Sequence, residues 1–239
     1  MADFAIMLLA TIAAGACIPL GGALARVERI QPQWLEKELR HSIIAFGGGV
    51  LLAAVALVLV PQGLRQFPST AAAGAVFLLG GLVFFELERR LAKKKHDAPL
   101  VSAMLLDYVP ESIALGGMFA AAAPQATLLA VLIGLQNLPE GFNAYRELMS
   151  ARSRGGNLPL LLMVAAVPIG PLMGVTGWAF GPGHPQLLGA LMLFASGGIL
   201  YLTFQDIAPQ SRLAKHWGPA LGAVLGFAVG MIGQMLVGA

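Results

Sequence analysis

Apolar residues run through this chain in long blocks, and polar residues collect between them. A helix needs roughly 20 mainly apolar residues to cross a hydrocarbon core. Eight blocks meet that length, at 4–25, 43–62, 70–91, 99–121, 126–149, 158–180, 186–207 and 218–238. The pattern predicts an all-α polytopic membrane protein with eight transmembrane helices in a single domain, 1–239. The first block follows Met1-Ala2-Asp3-Phe4, which has no basic residue, and its Pro19-Leu20-Gly21-Gly22 leads directly into a loop. It reads as a retained span rather than a cleaved signal.

The loops give the orientation. Of the 15 basic residues, all but Arg65 fall around the 1–2, 3–4, 5–6 and 7–8 connections, as in Arg26, Arg40, Arg89, Lys93, Arg152, Arg212 and Lys215. Short basic loops stay cytoplasmic, so eight spans place both termini outside the cytoplasm. The expected location is the plasma (inner) membrane, multi-pass. The basic run around Arg89–Lys95 serves as an anchor near anionic lipid.

Composition agrees. The chain is 57% hydrophobic and 11% charged, against about 25% charged in soluble domains. This excludes a soluble globule, a disordered chain and a coiled coil. A single cysteine, Cys17, excludes a disulfide scaffold. The net charge of +3 sits in loops and does not imply nucleic acid. The 30 glycines suit close helix packing in lipid.

A short internal repeat points toward a transporter. The second span carries Gly48-Gly49-Val50-Leu51-Leu52 and ends Val60-Pro61-Gln62-Gly63. The seventh carries Gly197-Gly198-Ile199-Leu200-Tyr201 and ends Ala208-Pro209-Gln210-Ser211. The two spans run in opposite directions, which is the mark of an inverted repeat.

Most acidic residues lie in loops or at span ends, but Asp107, Glu111, Glu140 and Asp206 do not. A carboxylate at membrane depth costs about 2.5–3.5 kcal/mol even on the lenient insertion scale. The fourth span carries Asp107-Tyr108-Val109-Pro110-Glu111-Ser112, and the fifth Gln136-Asn137-Leu138-Pro139-Glu140-Gly141. Asp107 and Glu111 share a helix face, as do Gln136 and Glu140. Each proline removes an intrahelical bond and kinks its helix, freeing the carbonyls of Leu106 and Leu135. Two such helices offer Asp107, Glu111, Gln136 and Glu140 as oxygen ligands to one cation. No lysine or arginine lies in any span core, so the carboxylates are either protonated or hold a cation.

These paired Pro-Glu motifs resemble the signature of the ZIP (Zrt/Irt-like) family of divalent-metal transporters. In that family a His-Asn-x-Pro-Glu-Gly-type motif on the fourth helix and a related Pro-Glu motif on the fifth form the transport site. Residues 49–54 through 60–62 resemble the family's second helix, and 200–209 its seventh; the likeness covers essentially the whole chain. It implies a 3+2+3 arrangement, with spans 1, 4, 5 and 6 as the transport bundle and spans 2, 3, 7 and 8 as scaffold and homodimer face. Glu111 and Glu140 match the central glutamates, and Gln136 a ligand position. Asp107 stands where the family usually has a ligating histidine. Tyr108 replaces an asparagine of the second metal position, Asn137 matches another residue of it, and Gly170 replaces a glutamate in the sixth helix. Val58 replaces a frequent histidine in the second. The resemblance thus implies one metal site, with the second dismantled.

The four histidines, His41, His96, His184 and His216, lie in loops or at span ends. The site is therefore all oxygen, which suits manganese or ferrous iron; zinc also accepts carboxylates and stays open. The metal is cargo, and no cofactor is expected. Without it, three carboxylates repel one another and at least one holds a proton, so metal entry releases protons. Asp206, beside Gln205 at the inner end of the seventh span, reads either as an exit relay or as a solvated helix-end acid. An intramembrane protease is not expected, since no span core has a histidine and no Gly-x-Gly-Asp string occurs. The reading is a divalent-metal uptake carrier, with a ZIP-fold protein that has lost metal transport or carries another solute as the alternative.

Overall fold

The computed structural model of the chain describes residues 2–28, 33–93, 99–150, 157–213 and 217–238. They fold into helices α1 (Ala2–Val27), α2 (Gln33–Ala53), α3 (Val60–Arg65), α4 (Thr70–Lys93), α5 (Pro99–Ala120), α6 (Ala126–Ser150), α7 (Leu158–Ala166), α8 (Ile169–Phe180), α9 (Pro185–Leu202), α10 (Ala208–Gln210) and α11 (Pro219–Gly238). No strand element occurs among the described residues. Wide π turns, Ala54–Leu59 and Thr203–Ile207, join α2 to α3 and α9 to α10. Residues 94–96, 152, 154, 215 and 216, which carry part of the basic loops and two of the histidines, lie outside the described residues.

Six stretches are long and apolar enough to cross a bilayer: Ala2–Val27, Lys37–Arg65, Thr70–Leu91, Leu158–Phe180, Pro185–Gln210 and Pro219–Val237. This is the build of a multi-pass α-helical membrane protein. The helices α5 and α6 are as long, 22 and 25 residues, but their polar hexads make them less apolar. Both run unbroken through Pro110 and Pro139.

Two boundaries differ from the sequence expectation. The helix expected to start at Ile43 begins at Gln33, because a polar amphipathic stretch extends it beyond hydrocarbon length. The block 158–180 is split into α7 and α8. Pro168 has no N–H to give, and the chain tightens there through Val167 N–H to the Val164 carbonyl and Gly170 N–H to the Val167 carbonyl, each 3.2 Å.

The π turns have a local cause. Each is followed two residues later by proline, Pro61 or Pro209. A proline ring clashes with the carbonyl four residues before it in a regular helix. The chain widens instead, with Val60 N–H bonding the Val55 carbonyl and Ala208 N–H the Thr203 carbonyl, each five residues back. The two π-turn helices lie side by side in opposite directions: Gly63 meets Gly189 and Leu193, while Gly48 meets Ile207.

Glycines set the tightest helix pairs. Gly21 and Gly141 bring α1 onto α6, Gly49 and Gly226 bring α2 onto α11, Gly116 and Gly177 bring α5 onto α8, and Gly80 and Gly197 bring α4 onto α9. At these positions a Cβ would strike the neighbour's backbone. The pairs fall into two groups, one of α1, α5, α6, α7 and α8, the other of α2, α3, α4, α9, α10 and α11. The two groups meet chiefly where α2 crosses α6 and α5 crosses α9. Leucines such as Leu78 and Leu82 on α4 and Leu221 and Leu225 on α11 are exposed, as a lipid-facing surface requires.

Candidate cation site

The site forms where the two groups meet. The α5 stripe carries Asp107 and Glu111 at i and i+4. The α6 stripe carries Gln136, Glu140 and Asn143 at i, i+4 and i+7, so one face of each helix is polar. Asp107 is 4% exposed, and Glu111, Gln136 and Asn137 are 0% exposed.

Glu111 and Gln136 form a closed pair. The Gln136 Nε2 donates to both Glu111 oxygens, at 3.0 and 2.8 Å. The remaining oxygens are different. Asp107 Oδ1, Gln136 Oε1 and both Glu140 carboxyl oxygens are buried without a hydrogen-bond partner. Asp107 lies within electrostatic reach of Glu140 and Glu111, and Glu140 of Glu111. Arg89 and Arg90 pair with Glu86, and Arg146 with Glu28; none of these three contacts involves the buried acids. A buried polar atom without a partner costs about 1–3 kcal/mol, so several in one place mark a site arranged for something other than stability.

A cavity of about 50 Å³ touches Asp107 and Glu140 and extends past Asn143 to Asp206 and Gln210. Its α2 wall is Ile44 with the pair Gly47 and Gly48, which have no side chains and so admit the Pro139 ring and Ile207. Of the expected site residues, the cavity therefore joins Asp107, Glu140 and Asp206. Glu111 and Gln136 lie beyond it, in the closed pair. Asn137 is not on the cavity wall; its Nδ2 donates to the Ala14 carbonyl at 2.9 Å and ties α6 to α1. Among the described residues, no three His, Cys, Asp or Glu side chains converge closely enough to hold one bare ion.

The opposite end is packed. Val58, Leu115, Met118, Leu129 and Met192 are all buried there. Beside them Gln62 Nε2 donates to Gln125 Oε1 at 2.7 Å, linking α3 to the turn before α6.

Two cavity residues escaped the sequence analysis. Asn143 was available as the next position on the stripe of Gln136 and Glu140. Gln210 belongs to the repeated Pro-Gln and is the counterpart of Gln62. Tyr108 is 1% exposed, and its hydroxyl lies against Gly15 and Gly170, so its ring fills the space between α1, α5 and α8. No protein-family model matches the chain, and no curated protein is significantly similar to it.

Proposed function

We propose that this chain is a secondary transporter of the ZIP type that takes up divalent metal ions into the cytoplasm. All eight sequence blocks cross the membrane in this reading. The parallel pairing of α1 with α6 and of α5 with α8 supports counting α5 and α6 as spans, since each lies along a helix that is long and apolar enough to cross. The opposed π-turn helices and the two groups of helix pairs support an inverted repeat in a 3+2+3 arrangement. With the basic loops inside, both termini lie outside, and the cavity reaches the cytoplasmic end.

The observation that carries the reading is the set of partnerless buried oxygens on Asp107 and Glu140, which line a cavity between two helix groups, with a further one on Gln136 beyond it. Cation entry satisfies those oxygens. Movement of one group against the other alternates the access. That movement also opens the Glu111–Gln136 pair and draws the oxygens together, so that Asp107, Glu111, Gln136 and Glu140 bind the ion, and Asp206 lies on its exit path. An all-oxygen set favours manganese or ferrous iron, with zinc as a further candidate.

The test is uptake of a panel of divalent ions into proteoliposomes by the wild type, Glu111→Ala and Glu140→Ala. The expected result is uptake of at least one ion by the wild type and its loss in both variants. No uptake of any ion, or wild-type uptake by both variants, defeats the proposal.

One observation favours a second reading. Gln136 already satisfies both Glu111 oxygens, and a closed pair of that kind fits a ZIP-like fold that has lost metal transport or carries another solute. The same panel separates the two readings.

A further inference from the structure

We propose that the cavity between the two helix groups is a vestibule for a hydrated divalent cation, held through its water shell by Asp107, Glu140, Asn143 and Asp206. The inference rests on the cation-carrier reading and adds a second, outer-sphere position to it.

Asn143 carries the argument. It is 8% exposed, and its Nδ2 donates to the Pro139 carbonyl at 2.9 Å. That bond fixes the amide and accounts for its nitrogen. The oxygen, Oδ1, is buried with no partner, on the wall of the same cavity. It stands one turn beyond Glu140 on the same helix face. Asp206 approaches from the other helix group, and its Oδ2 is likewise buried and partnerless. A packing role for Asn143 explains the Nδ2 bond and leaves Oδ1 unexplained.

Geometry decides between a bare and a hydrated ion. A bare ion of the magnesium class needs its ligands at about 2.0–2.1 Å from one point. No three acidic side chains converge in that way among the described residues. The space open to the centre of a water-sized sphere is about 50 Å³, and all the empty space of the pocket, open solvent included, is about 520 Å³. A single water needs only about 10–15 Å³ by the narrower measure. A water's share of liquid volume is about 30 Å³, so an ion with its full shell of six fits the empty space of the pocket, and water-bridged hydrogen bonds are nearly as favourable as direct ones.

Hexaamminecobalt(III) tests this, because its shell does not exchange and it binds only through outer-sphere contacts. Its binding to the purified full chain in detergent is measured with and without Mn²⁺ as competitor. The expected result is binding that Mn²⁺ displaces, weakened about tenfold in Asn143→Leu through loss of a charge-assisted contact. Asp206→Asn weakens it too. Asn143→Asp adds a negative charge and tightens it. Thr176→Val, whose hydroxyl bonds only its own helix at the Leu172 carbonyl, leaves it unchanged. No displaceable binding overturns the vestibule, as do wild-type affinities in both Asn143 variants. If Asn143→Leu does not fold, failure of Asn143→Asp to tighten binding overturns it. Mn²⁺ uptake by the wild type is followed in parallel. Uptake without hexaamminecobalt binding overturns the vestibule alone. Displaceable binding without transport of any ion supports the vestibule and defeats the carrier reading.

Discussion

The hydroxyl of Tyr108 occupies the space that a Cβ on Gly170 would need. The same hydroxyl also crowds Gly15, and it donates to the Thr11 carbonyl at 3.5 Å. A large side chain on α5 is therefore matched to glycines on α1 and α8. Gly170→Ala overpacks this contact, and overpacking costs about 1–3 kcal/mol. Tyr108→Phe removes the atom nearest the new methyl and returns part of that loss. The pair is checked by denaturant unfolding in detergent as a double-mutant cycle. Simple additivity, within about 0.5 kcal/mol, removes the claim that the two positions share one space.

Gln62 and Gln125 answer only to each other at the packed end of the bundle, 8% and 9% exposed. Replacing one leaves the other buried without its partner, at about 1–3 kcal/mol. Gln62→Leu and Gln125→Leu each lower stability by that order. The double variant exchanges both polar groups for apolar ones and recovers most of the loss. Thermal unfolding of the three variants checks this, and a double variant as unstable as the sum of the singles contradicts it.

The hydrophobic blocks made the helical membrane build legible, because a span must satisfy its backbone within itself and cover it with apolar side chains. The polar hexads were legible for the opposite reason: Asp107, Glu111 and Glu140 are too costly at depth to be incidental. Helix α2 showed the limit of that signal. Its first turns are polar, so an apolar window starts ten residues late although the helix does not. The π turns were also hidden, although Pro61 and Pro209 that cause them were in plain view. Which glycine meets which backbone is a tertiary property, and no pattern along one helix carries it. Asn143 was missed because a lone amide one turn past a motif looks like any helix-end residue until the cavity wall is known.

Asp107 offers the sharpest test of the ligand chemistry. Its Oδ1 is buried and unpartnered beside Glu140. In the carrier reading it is a hard oxygen ligand, and imidazole at the same position favours zinc. Two things change in Asp107→His, since a negative charge is lost and a nitrogen ligand is gained. Asp107→Asn separates them by losing the charge and keeping an oxygen. The charge loss weakens uptake of both Mn²⁺ and Zn²⁺ in Asp107→Asn. Asp107→His weakens Mn²⁺ uptake to a similar degree but spares or raises that of Zn²⁺. The Zn²⁺ to Mn²⁺ ratio then moves by about tenfold, equivalent to about 1.4 kcal/mol of differential binding. Competitive uptake of the two ions into proteoliposomes measures that ratio directly. Equal ratios in the histidine and asparagine variants show that charge alone matters at this position, and the preference for harder ions then has no basis in ligand type.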